Sequence, residues 1–150
     1  MVCSEFAREW FKRGQKEENG IYKFFCFFVA FNWLYNTEHC RYEYNRVKNY
    51  VSKAVFPWKE YNAYKLLKTG AFMEPVKDTR SGEVKDYIKN ESNLTIKLFL
   101  QIYQVRCNLF HGSKSMYLER NKELVTDSCI ILEDFLKRVF EDKGGKTDGR

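Results

Sequence analysis

The chain holds little that would break or staple a fold. Two of its 150 residues are proline and eight are glycine, which leaves long uninterrupted stretches and disfavours a strand-rich fold with many turns. Cys3, Cys26, Cys40, Cys107 and Cys129 form no Cys-x-x-Cys pair and are odd in number. That argues against a disulfide framework, and no secretory leader is read ahead of them. The expectation is reduced cytosolic thiols acting mostly as small core hydrophobes. Histidine is scarce, and His39-Cys40 lacks a second ligand cluster, so no zinc site is expected. No Asp/Glu cluster reads as a magnesium site, and no cofactor is implied. The most apolar run, "FFCFFVAF" from Phe24 to Phe31, is far short of the roughly 20 residues a membrane span needs. It reads as a buried helix of a soluble protein, without a membrane partner and expected to be cytoplasmic.

What is present is aromatic and basic. Phenylalanine contributes 13 residues, tyrosine 10 and tryptophan 3, enough for a core filled by rings in place of aliphatics. The net charge of +6 permits a polyanionic partner, but a solvated basic surface accounts for it equally well.

Periodicity places helices nearly throughout. Ser4 is positioned to cap a first helix carrying Phe6, Ala7, Trp10 and Phe11, which weakens at Gly14 and ends near Glu18, before the turn dipeptide Asn19-Gly20. A second, apolar on all sides, runs from about Ile21 to Asn36. A third, from about Glu38 to Val55, interleaves Arg41, Arg46, Lys48 and Lys53 with Tyr42, Tyr44 and Tyr50. That pattern fits either a face for RNA or an ordinary solvated face. Pro57 suits the first turn of a short helix ending near Lys68. Thr69 to Gly82 reads as a long exposed connection, with a short helix from about Glu83 to Lys89 after it. Asn93 caps a helix striped by Leu94, Leu98, Ile102, Val105 and Leu109, which ends at Gly112. Residues 119–141 form a closing helix, and residues 143–150 a flexible tail. The expectation is an all-α, antiparallel bundle of about five to six helices, one domain over residues 1–142.

The polar end of the sixth predicted element is the candidate site. In "QVRCNLFHGSK", Gln104 to Lys114, Arg106 and His111 lie five positions apart, about 140° round the helix axis and about 7.5 Å along it. They do not stack on one face, whereas Asn108 and His111 do. A groove between two symmetry-related copies would bring such groups together more readily than a pocket within one. Spacing alone leaves a second reading open, since a histidine before a capping glycine and a solvated arginine also describe a plain helix end.

The wider pattern carries a resemblance. "RCNLFHG" resembles the Arg-x4-6-His signature of the HEPN superfamily, helical ribonuclease domains of toxin–antitoxin, abortive-infection and CRISPR systems. "EWFKRGQKEENGIYKFFCFFVAFNWLYN" is similar to the two opening helices of ApeA-like HEPN proteins, which close on Ala-Phe-Asn, and a Leu/Ile-rich last helix follows the motif as it does there. The stretch from about Arg41 to Asn90 matches least. The position after the arginine, commonly Asn, Asp or His in the superfamily, is Cys107 here. The resemblance implies a HEPN-like two-fold homodimer with a composite active site, and metal-independent endoribonuclease activity giving a 2′,3′-cyclic phosphate and a 5′-OH. It implies RNA as substrate, a role as toxin or phage-defence effector, and a nucleotidyltransferase-type antitoxin as a candidate partner. Arg106, His111 and Asn108 take the catalytic positions, Asn108 either orienting His111 or binding a phosphate oxygen, while Lys114 is placed to bind the RNA backbone. The alternative is a non-catalytic HEPN dimer, acting as a nucleotide-binding regulatory or scaffold module.

Overall fold

In a computed structural model the chain is described over residues 2–54, 70–111 and 119–148, with side chains described within residues 5–54, 70–111 and 120–141. Among the described residues the fold is all-helical. The helices are α1 (Val2–Lys16), α2 (Gly20–Tyr35), α3 (Glu43–Lys53), the four-residue α4 (Asp86–Lys89), α5 (Leu94–Phe110) and α6 (Glu119–Asp148), with a 3₁₀ turn at Ala71–Met73. No helix among the described residues is long and apolar enough to cross a membrane.

Local chemistry accounts for most of the boundaries. The Asn19 side chain accepts hydrogen bonds from the N–H groups of Ile21 and Tyr22 and starts α2, and Asn93 accepts from Ile96 N–H and starts α5. Ser4 lies inside α1, which begins at Val2, so it is not the cap. Gly14 does not end α1. It lets α2 come close, since a Cβ there would lie 2.5 Å from the ring of the fully buried Phe27. Lys23 closes the same corner, its ammonium donating to the carbonyl of Gly14 at 2.8 Å at the C-terminal end of α1. α6 continues to Asp148, through the segment expected to be a tail. The short helix expected after Pro57 lies outside the described residues.

The rings build the centre. Phe31 of α2 meets Tyr35, Tyr50, Phe99 and Phe135, mostly edge-on, so one residue ties together α2, α3, α5 and α6. Truncating such a ring costs about 3–5 kcal/mol. Contact registers show antiparallel neighbours. Phe6 and Gly14 of α1 face Trp33 and Phe27 of α2, and Phe25 and Phe31 of α2 face Phe110 and Phe99 of α5.

Two expectations change. α3 starts at Glu43 rather than Glu38, and the cations of its basic face are tied within the chain. Arg46 donates to the Asn36 side chain and the Cys40 carbonyl, Lys48 pairs with Glu91 and Lys53 with Glu38. The connection before α4 is not a free loop either. Val76 and Asp78 are buried, and the backbone of this stretch is met by side chains from the helices. Val76 N–H donates to Gln101, Asn108 donates to the Lys77 carbonyl, and Arg120 donates to the carbonyls of Ala71 and Glu74. A buried loop must satisfy its backbone groups in this way.

Candidate active site

α5 is apolar enough to be buried nearly all round, and its polar residues divide by helical angle into two groups. Gln101, Gln104 and Asn108 recur at three and four positions and share one face. All three are buried. Asn108 accepts from Thr79 N–H at 3.2 Å and from the Gln104 amide at 2.9 Å, and donates to the Lys77 carbonyl at 2.8 Å. Gln104 also accepts from the Tyr87 hydroxyl. The Asn108 amide is thus spent on the 77–79 stretch, and among the described residues no hydrogen bond joins it to His111. It braces the last turn of α5 against that stretch.

Arg106 lies about 200° round the axis from Asn108 and faces α2 and α3. Its guanidinium stands over the rings of Phe110 and Phe28, 4.6 and 5.6 Å from their centroids, and its Nη1 is 3.5 Å from Glu43 Oε1. Glu43 is the hub of this side. Oε2 accepts from the Tyr35 hydroxyl at 2.5 Å and the Asn32 amide at 3.1 Å, and Oε1 accepts from the Tyr103 hydroxyl at 3.4 Å. Burial, followed by donation to Glu43, pushes the Tyr35 phenol far above its ordinary range. Tyr103 is raised in the same direction, first by burial and then by its contacts with Cys107. Both phenols therefore stay protonated at physiological pH and act as permanent donors. The guanidinium is held from the carboxylate side and from both ring faces, while its Nε is buried with no hydrogen-bond partner. The side chain as a whole keeps 25% of its surface exposed, so it is held in place without being sealed from solvent.

His111 caps α5. Its N–H closes the last turn on the Cys107 carbonyl at 3.2 Å, its φ is −83° and ψ 13°, and its side chain is exposed. Among the described residues its ring has no hydrogen-bond partner. Gly112 and Lys114 lie outside the described residues. Cys107 lies beside Tyr103 and helps to raise its phenol.

The structure therefore brings Arg106 together with residues that sequence reasoning left out, namely Glu43, Asn32, Tyr35 and Tyr103. One signal was available. Asn32 is the lone polar side chain between Phe24 and Tyr35, and such a residue in an apolar helix needs a partner. Among the described residues no group of three or more His, Cys, Asp or Glu side chains is placed to hold a metal ion. No family model, curated protein or solved structure matches the chain.

Proposed function

We propose that the chain is a HEPN-type endoribonuclease that works as a two-fold homodimer and cleaves RNA without a metal ion. The observation that carries the reading is the contrast at the end of α5. An arginine is braced by a carboxylate and two rings with a quarter of its side chain exposed, and a histidine without a hydrogen-bond partner among the described residues stands exposed about one and a half turns further on.

The chemistry follows from those two side chains. The ribose 2′-OH attacks the adjacent phosphorus, the bond to the 5′-oxygen breaks, and a 2′,3′-cyclic phosphate and a 5′-OH result. His111 of one copy takes the 2′-OH proton, and His111 of the other copy protonates the leaving 5′-oxygen. Arg106, with its planar fork of donors, stabilises the charge that builds on the phosphoryl oxygens. Asn108 holds the last turn of α5, and Lys114 contributes to binding the RNA backbone. DNA, which lacks the 2′-OH, is not cut. A role as toxin or phage-defence effector, silenced by a nucleotidyltransferase-type antitoxin, belongs to the same reading.

The test is RNA cleavage by the purified protein in EDTA. Arg106→Ala and His111→Ala are each expected to abolish cleavage while the circular dichroism spectrum is retained. Activity that needs a divalent metal, or that persists in both variants, overturns the mechanism. The Arg106–Glu43 contact favours one alternative, a HEPN dimer in which Arg106 binds a nucleotide phosphate and leaves it intact. A protein that cleaves nothing yet gains thermal stability with nucleotide would decide for that reading.

A further inference from the structure

A row of tyrosines leads from the surface to Arg106. Tyr42 and Tyr44 stack with centroids 5.7 Å apart and planes 10° apart, and Tyr44 and Tyr87 stack at 4.6 Å and 8°. Tyr87 meets Tyr103 at 6.1 Å. The hydroxyl of Tyr103 and the guanidinium of Arg106 contact the same oxygen of Glu43.

This arrangement differs from the core. Around Phe31 the rings meet edge-on, at 75° to Tyr35 and 86° to Phe135, which is one of the favoured geometries for buried aromatics. Tyr42, Tyr44 and Tyr87 are instead nearly parallel although they come from two separate segments, and the outermost ring, Tyr42, is 51% exposed. A parallel stack ending in an exposed ring presents the surface on which an unpaired nucleobase stacks.

Beside the stack lies a cleft of about 480 Å³ bordered by Tyr44 and Tyr87. Its ammonium groups, Lys48 and Lys85, are matched by the carboxylates of Asp86 and Glu91, and Asn45 and Asn90 add amide donors and acceptors. A cleft with balanced charge offers a phosphate little. Flat rings with hydrogen-bonding groups at their edge suit a base. Cationic charge lies at the two ends of the row instead, at Arg41, whose guanidinium stands over the Tyr42 ring 5.4 Å from its centroid and which an incoming base would have to displace from one ring face or share the ring with, and at Arg106.

We infer that the row Tyr42–Tyr44–Tyr87 is a subsite for unpaired bases of single-stranded RNA, with Tyr42 as its outer stacking platform and Arg41 and Arg106 meeting the flanking phosphates. The inference rests on the RNA reading above for its ligand, but it concerns binding and not cleavage.

The experiment uses the full chain and a fluorescein-labelled 2′-O-methyl RNA oligomer, which has no free 2′-OH to attack, and follows fluorescence anisotropy. Tyr42 is half exposed and its ring meets Tyr44 and Arg41, so Tyr42→Ala should fold as the parent does with only a small drop in melting temperature. It is expected to weaken binding roughly 5- to 100-fold, the effect of losing one base stack. Tyr42→Phe keeps the ring and should bind as the parent does. An oligomer of the same length with abasic positions should bind weakly and be indifferent to Tyr42→Ala. Equal affinity of Tyr42→Ala and parent, equal affinity for the abasic oligomer, or no binding at all each overturn the inference. Tyr42-dependent binding with unmodified RNA left intact in EDTA would defeat the cleavage mechanism and leave the subsite standing. Cleavage that is unaffected by Tyr42→Ala, in kcat and in KM, would do the reverse.

Discussion

The two sides of α5 hold polar networks of opposite kind. On the Asn108 side, neutral amides meet backbone groups of the 76–79 stretch, and every contact is between chain and chain. On the Arg106 side, a carboxylate gathers two phenols, an amide and a guanidinium, and the arginine side chain stays a quarter exposed. Residues two positions apart in the sequence are thus committed to different work, one to holding the fold and the other to holding a charge ready. His111, at the end of the same helix, belongs to neither network. Polar groups that cluster in sequence on a helix disperse in space, and their burial distinguishes their roles.

The comparison breaks most visibly at Asn108. Asn108→Ala leaves the Lys77 carbonyl and the Gln104 amide without their partner, and is expected to lower stability by about 2–4 kcal/mol. His111→Ala, at an exposed position, should stay within about 0.5 kcal/mol of the parent. Urea unfolding of the two variants measures both. If the order is reversed, His111 is a structural cap and the division drawn above is wrong.

Glu43 sharpens the other side. Glu43→Gln keeps the shape but removes the charge that faces Arg106 and accepts from Tyr35. The expected cost is about 1–3 kcal/mol, less than for a fully buried pair because the two side chains are 25% and 23% exposed. A double-mutant cycle with Arg106→Ala should return a coupling of about 0.5–2 kcal/mol. A coupling near zero would mean that the two residues are neighbours without dependence.

How much of this was legible in the chain varies with the range of the interaction. The all-helical architecture, the Asn93 cap and the buried Leu98, Ile102 and Val105 stripe follow from contacts within a turn or two, and spacing reports them well. The Gln101, Gln104 and Asn108 stripe was visible as spacing, but amides at helical intervals look the same whether they face water or a buried loop. The 76–79 stretch that covers them carries no hydrophobic period of its own. Glu43 was beyond reach for a different reason. Its role depends on α2, α3 and α5 converging, and no local pattern encodes three-way packing. Gly14 was read as a weak point of α1, because a glycine in a helix usually is one. Its real task, admitting Phe27, belongs to the neighbouring helix.

The smaller effects lie in the turn that the Asn108 side holds. Gly82 sits at φ +74° with open space round its Cα, so Gly82→Ala meets backbone strain alone and should cost about 1–2 kcal/mol.

Asp78 gives the turn its pH dependence. Its buried carboxylate accepts from the Arg80 N–H at 2.9 Å and lies 3.3 Å from the Lys85 ammonium. The hydrogen bond from Arg80, and then Lys85, hold its pKa below the ordinary aspartate value despite the opposing effect of burial. A carboxyl whose folded pKa is depressed adds stability above its unfolded pKa, near 3.9 for aspartate, and loses it as the pH falls through the folded value. Asp78→Asn should therefore melt below the parent at pH 7, and the two melting curves should begin to draw together as the pH falls past about 4 and meet only below the lowered folded value, where the parent's own carboxyl takes up its proton. The deficit of Asn108→Ala, whose amide does not titrate, should persist across the same range. A deficit of Asp78→Asn that is constant or grows in acid would show that the turn depends on the shape of the side chain and not on its charge.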